Sequence, residues 1–213
     1  MKAGSLKEVE KYCEQLRASL NKLCKKLGAI HIGSKKQFPS GWSKAAKGRT
    51  VWRIVEEAIS QNLTVKRKAL GFGEVSPSDK EASIFDVVVN FTGDSRKLYL
   101  NFKAAVAGKE TEKGDISKAE KLVAFFDEDA NRQLFIATFA IAFHKDMTIE
   151  IKHCLVTPIA WLPDIYVNPS NNGNLQCSQP KDLNAATKRT NAKFLIALNI
   201  AMKTAAKKRK SKR

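Results

Sequence analysis

The sequence has 213 residues, 43% of them hydrophobic, which suits one domain of moderate size with a real core. Lys and Arg number 38 against 21 Asp and Glu, a formal net charge of +17, well beyond the ~2–8 that solubility asks of a small domain. Such an excess favours a polyanionic partner, nucleic acid ahead of an anionic membrane surface, and leaves little reason to expect a small-molecule substrate.

No apolar run approaches the ~20 residues of a spanning helix, so no membrane is expected. The opening Met1-Lys2-Ala3-Gly4-Ser5-Leu6 passes into a charged helix without the apolar core of a signal peptide. Cys13, Cys24, Cys154 and Cys177 show no CxxC spacing, and His31, His144 and His153 do not cluster with them. Zinc is not expected. Unpaired thiols in a reducing cytoplasm are.

Leu6, Val9, Cys13, Leu16, Leu20, Leu23 and Leu27 recur at steps of three and four, an a/d stripe that Gly28 stops. That stripe packs on the protein's own core or forms a dimer contact; both readings stay open. Residues 33–48 form a basic, Gly/Ser/Pro-punctuated loop with Lys35, Lys36, Lys44 and Lys47, and Arg49 follows directly. A helix is predicted over 50–62, with Val51, Ile54, Val55, Ala58 and Ile59 on its apolar face, Glu56 at the edge and Glu57 toward solvent. Residues 71–83 read as a loop. Strands follow at 84–91 and 97–106, joined by a tight turn at Gly93-Asp94-Ser95.

Residues 108–114 read as a turn and 117–126 as a helix. Residues 134–143 and 147–156 form a hairpin, the first strand apolar enough to be covered on both faces. A Pro/Asn-rich stretch, 163–180, leads to a helix over 183–203. The basic end, 204–213, reads as a solvated tail. This order predicts an α/β fold in a single domain, one central mixed β-sheet flanked by helices, with residues 1–203 forming the domain.

Side chains at i and i+2 share a strand face. Leu98, Leu100, Phe102 and Ala104 therefore make one face, and Tyr99, Asn101 and Lys103 the other. An amide and an ammonium in so apolar a strand need partners. Asp86, set among Ile84, Phe85 and Val87–Val89 on the preceding strand, offers one. A carboxylate can hold Mg²⁺, a hard cation that takes one or two protein carboxylates. A lysine beside it can hold a water or stabilise charge on a phosphorane. A structural Asp86–Lys103 ion pair is the competing reading.

The string Phe85-Asp86-Val87-Val88-Val89, fourteen intervening residues after Asp86, then Asn101-Phe102-Lys103 resembles the PD-(D/E)xK nucleases. It is most similar to the type II restriction endonucleases that cut short palindromes with blunt ends. The resemblance implies a restriction-endonuclease-like fold and Mg²⁺-dependent hydrolysis of double-stranded DNA by a homodimer. It assigns metal binding to Asp86 and Asn101, and catalysis to Asp86, Asn101 and Lys103. Phe85 stands where the family keeps a proline, and Asn101 replaces the second acid. The helix over 50–62 sits where the family places one contributing another acid; Glu56 is the candidate, with Trp52 the alternative occupant. The segment 104–117 resembles the loop and helix after the catalytic lysine. Leu162-Pro163-Asp164-Ile165-Tyr166-Val167-Asn168 resembles the approach to the base-reading segment.

Asn168, Asn171, Asn172, Asn174, Gln176 and Gln179 crowd one polar stretch broken by Pro169 and Gly173. Amides can pair with adenine edges, although Asn-rich stretches also make plain turns. Lys35, Lys36, Lys44, Lys47, Arg49, Lys109 and Lys113 are the candidate phosphate contacts, which position a duplex without reading it. Two alternatives remain: a structure-selective nuclease such as a junction resolvase, and a DNA-binding protein without catalysis, which the neutral Asn101 keeps open.

Overall fold

In a computed structural model of the chain, residues 5–42, 47–79, 83–108, 113–170, 173–178 and 186–211 are described. The first helix, α1 (Leu6–Leu27), starts where the Ser5 side chain accepts the Glu8 N–H at 3.2 Å, a serine N-cap. It stops at Gly28, whose φ of 63° suits a residue without a side chain. Leu16, Leu20 and Leu23 are 0% exposed, packed with the sheet and the second helix in one core cluster. The heptad stripe is thus an intramolecular contact. Its middle is spent on the chain's own core, while Leu6 at its start stays exposed.

Nine strands lie among the described residues. They are β1 (Ala29–His31), β2 (Phe72–Pro77), β3 (Val87–Phe91), β4 (Leu98–Val106), β5 (Lys113–Lys118), β6 (Gln133–Phe143), β7 (Thr148–Pro158), β8 (Tyr166–Val167) and β9 (Asn174–Ser178). Six of them form a sheet in the order β1-β7-β6-β4-β3-β2. It is mixed, because β4 and β6 run parallel and the other pairs antiparallel. The central pair needs cover on both faces. One face carries α1 and α2 (Lys47–Lys66) over Leu98, Leu100, Phe102, Phe135 and Phe139. The other carries α3 (Ala119–Glu128) and α4 (Asn191–Lys210) over Leu134 and Ile136. The fold is α/β, a mixed sheet flanked by helices.

Several local expectations shift. Residues 71–83 hold β2 as well as loop, because Val75 and Phe72 pack on the core edge that β3 leaves open. Within the expected strand 84–91, pairing begins at Val87. Ile84 and Phe85 both turn to the second core cluster, where Phe85 meets Tyr99 at 5.0 Å between ring centroids. Two successive side chains on one side cannot keep a strand's alternation. In the Pro/Asn-rich stretch, β8 and β9 join β5 as a separate three-stranded sheet. Helix α4 begins at Thr190, whose side chain accepts the Lys193 N–H at 3.4 Å, and runs to Lys210. Lys207, Lys208, Arg209 and Lys210 therefore ride on a helix, where a solvated tail was expected. Ile54, expected on the apolar face of α2, is exposed, whereas Val51, Val55 and Ile59 are buried.

Candidate active site

The site lies where β3 and β4 part. The Asp86 N–H donates to the Leu100 carbonyl at 2.8 Å, the last main-chain bond of that ladder. One residue further along, two side chains replace the backbone. The Asn101 amide donates to the Ile84 carbonyl at 2.7 Å, and the Asp86 carboxylate accepts the Phe102 N–H at 2.5 Å. The opened strands are bridged twice.

Asn101 is 5% exposed, and its amide oxygen is buried with no hydrogen-bond partner. A buried acceptor left unmatched costs about 1–3 kcal/mol. Such an atom fits a neutral oxygen ligand for a hard cation. Thr138, paired with Lys103 across β4 and β6, also carries a buried hydroxyl oxygen without a partner. Nothing in the sequence marked Thr138, since a threonine inside an apolar strand is ordinary.

Glu56, at the middle of α2, approaches from the other side of the strand edge. Its side chain is 20% exposed and pairs with Arg53 at 3.2 Å. It lines one groove with the Asp86 carboxyl group. Burial, the largest cause, pushes Asp86 up to about 6. The Glu56 charge adds to that rise, and the Phe102 N–H and the Lys103 charge oppose it. Lys103 is half-buried, and desolvation lowers its pKa from the ordinary range against the attraction of Asp86, Glu56 and Asp115. Glu56, Asp86 and Lys103 thus lie within electrostatic reach of one another, and Asn101 bridges the parted strands beside Asp86. A groove of about 430 Å³ opens beside Glu56 and Asp86, lined also by Phe85, Ser78 and Arg53, while Lys103 lines a separate small cleft.

Among the described residues no three His, Cys, Asp or Glu gather into a group able to hold a metal ion. The donor set is therefore two carboxylates and a neutral amide oxygen. That is poor for zinc, and within what Mg²⁺ accepts, since Mg²⁺ keeps much of its water. The residues fit a hard divalent cation.

The expected DNA-contacting residues are spread over several loops. Lys35 and Lys36 are exposed on a turn after β1. That turn belongs to a loop tied to the β6–β7 hairpin by the Trp42 indole, which donates to the His144 carbonyl at 2.9 Å. Since β1 is antiparallel to β7, and β7 to β6, β1 runs with β6 and β4. The basic loop therefore leaves the sheet at the end where β4 finishes. Lys47 and Arg49 lie in the first turn of α2, and Lys113 opens β5. Asn168 behaves as the turn reading expected: its side chain accepts the Ser170 N–H at 2.8 Å. Asn174 and Gln176 sit on β9 and both donate to Asp115. Lys44, Lys109, Asn171, Asn172 and Gln179 lie outside the described residues. Asp115, like Thr138, was not singled out in the sequence, and Arg209 was read only as part of the basic end. Arg209 donates from α4 to the Pro169 carbonyl at 2.9 Å, which brings the basic helix end against the Asn-rich loop. Neither contact leaves a local sequence signal.

No helix among the described residues is long and apolar enough to cross a membrane. No family model matches this chain, and no curated protein matches it. Among solved structures it is similar to the NlaIV restriction endonuclease, at 17% identity and a TM-score of 0.46. The match covers 67% of this chain and 57% of that one, so the chain spans little more than half the length of the structure it matches. The chemistry below is argued from the site's own geometry.

Proposed function

We propose that this protein is a Mg²⁺-dependent endonuclease that hydrolyses phosphodiester bonds of double-stranded DNA at a short palindrome, as a type II restriction enzyme does. The observation that carries the reading is that the Glu56 and Asp86 carboxyl groups line one groove at the parted strand edge, with the Lys103 ammonium within electrostatic reach of both. The net charge of +17 supplies the attraction for a polyanion.

Asp86 and Glu56 would hold the cation, with the Asn101 amide oxygen as a neutral third donor. Bound there, Mg²⁺ would polarise the scissile phosphate and acidify a water. Lys103 stands within electrostatic reach of that place as a fixed positive charge. It can orient the attacking water by hydrogen bonding and stabilise the extra negative charge of the pentacovalent phosphorus. Because Lys103 is already partly desolvated, its charge acts more strongly there than at an open surface. The Phe102 N–H holds one Asp86 oxygen in place, so the carboxylate is oriented before any ligand arrives. Lys35, Lys36, Lys44, Lys47, Arg49, Lys109 and Lys113 would contact phosphates, and Asn168, Asn171, Asn172, Asn174 and Gln176 would approach base edges. Symmetric cutting of a palindrome needs two sites about a two-fold axis, hence a homodimer. The buried middle of the α1 stripe is not its contact.

Incubation of the purified chain with plasmid DNA and Mg²⁺ tests the reading. Discrete bands support it. Cleavage confined to branched DNA replaces it with a structure-selective nuclease. Binding without cleavage in Mg²⁺ and Mn²⁺ replaces it with a non-catalytic binder, the alternative the neutral Asn101 keeps open.

A further inference from the structure

Asp115 on β5 lies opposite Gln176 on β9 in the antiparallel register. Its carboxylate receives two amides at once, Gln176 Nε2 at 2.6 Å and Asn174 Nδ2 at 3.1 Å. The same residue lines a small cleft together with Lys103, Thr138, Leu162 and Cys177. One acid therefore touches the amide-bearing strand on one side and borders the lysine's cleft on the other. A bulge between Asp115 and Ser117 breaks the regular pairing there, and bulges re-aim side chains.

The chemistry of the contact is directional. An ionised carboxylate only accepts, whereas a side-chain amide has a donor end and an acceptor end that a half-turn exchanges. Two amides held on one carboxylate must both present their NH₂ groups to it. Their orientation is then defined before any base arrives, and amide orientation decides which base edge is matched. The cluster is at the surface: Asp115 is exposed, and Asn174 and Gln176 are half-buried.

We propose that Asp115 is a positioning residue. It fixes the amide orientation with which Asn174 and Gln176 meet base edges, and it holds that strand in one frame with Lys103. The inference rests on the nuclease reading above and names a residue by which that enzyme would couple site recognition to cleavage.

The test uses the full chain. Plasmid cleavage by the wild type first maps the target. The values of kcat and KM are then measured on the target duplex and on duplexes with one base pair changed. The variants are Asp115→Ala, Asp115→Asn, the pair Asn174→Ala with Gln176→Ala, and all three alanines together. Asp115→Ala is expected to lower the ratio of kcat/KM for target over altered duplexes by about tenfold or more, the scale of one lost base contact. The triple variant is expected to discriminate no worse than the amide pair alone, because Asp115 acts through those amides. Asp115→Asn keeps the side chain's size and one accepting oxygen, and should lie between wild type and alanine; it supplies the reading if the alanine variant does not fold. An unchanged ratio in the Asp115 variants overturns the proposal. So does a triple variant whose loss is the sum of its parts, the signature of a separate structural role. A wild type that cuts no DNA removes the nuclease reading itself, and the inference with it.

Discussion

The Glu56 and Asp86 carboxyl groups line one groove, one from the middle of α2 and one from the bend before β3, and the Glu56 charge raises the Asp86 pKa. Two carboxylates so placed disfavour double ionisation unless a cation lies between them. The Glu56 charge is, after burial, part of why Asp86 sits near 6. Under the proposed function a proton and Mg²⁺ would therefore compete for the Asp86 oxygens.

Cleavage should follow that competition. Below about 6 Asp86 is mostly protonated, so the rate at limiting Mg²⁺ should rise with pH, by up to about tenfold per unit, and level above. Single-turnover cleavage between pH 5 and 8 measures it. A rate already flat at pH 5, with the same Mg²⁺, would remove Asp86 from the metal site.

The same carboxyl group destabilises the metal-free protein at neutral pH. A folded-state value above the ordinary 3.8 means the fold prefers the protonated acid. Its contribution is fully present below about 4 and is lost as pH rises through about 6, a change of roughly 3 kcal/mol at most. Asp86→Asn, which mimics the neutral acid, should therefore melt higher than wild type in EDTA at pH 8, with the advantage shrinking toward pH 4. It should not cut DNA. Equal melting at pH 8 would show that burial of Asp86 is not felt.

Lys103→Ala removes the cation attracted by both Asp86 and Glu56. Cleavage should fall by about 10²–10³, while duplex binding measured with Ca²⁺ in place of Mg²⁺ changes little, because many other cations contact phosphates. A rate within threefold of wild type would leave Lys103 as a structural ion-pair partner only.

Asn101→Asp restores an acid but removes a donor. Asn101 donates to the Ile84 carbonyl, and an ionised aspartate cannot. The metal-free variant should lose about 1–3 kcal/mol of stability, and saturating Mg²⁺ should recover part of it by binding the folded state more tightly. Denaturant titration with and without Mg²⁺ reads both. Stability unchanged in EDTA would contradict the bridge across the parted strands.

Leu16→Asp separates the two readings of the first helix. Leu16 is fully buried in the single chain, so a charge there should unfold the protein, detectably by circular dichroism. Conversion to a folded monomer would instead place the stripe at a subunit contact.

Much of the architecture was readable along the chain because its signals are local. The stripe of α1, the two-residue alternation of β4 and the unbroken apolar run of β6 each state their own burial, since 3.6- and two-residue periods are properties of the backbone. The placement of Asp86 beside Asn101 and Lys103 followed from one tight turn between two strands. The small sheet of β5, β8 and β9 was not readable: its strands are short and polar, and they pair across a long separation in sequence. Asp115 lay hidden for the same reason, as its partners are about sixty residues away.

By itself the sequence determined the charge, the α/β order and the identity of the groups able to do chemistry. Only the tertiary structure decided where the α1 stripe is buried, that the basic end of the chain is helical, and that Glu56 shares a groove with Asp86. The division is physical. Periodicity and composition act over a few residues, whereas burial, neighbouring charge and amide orientation depend on which distant surfaces meet.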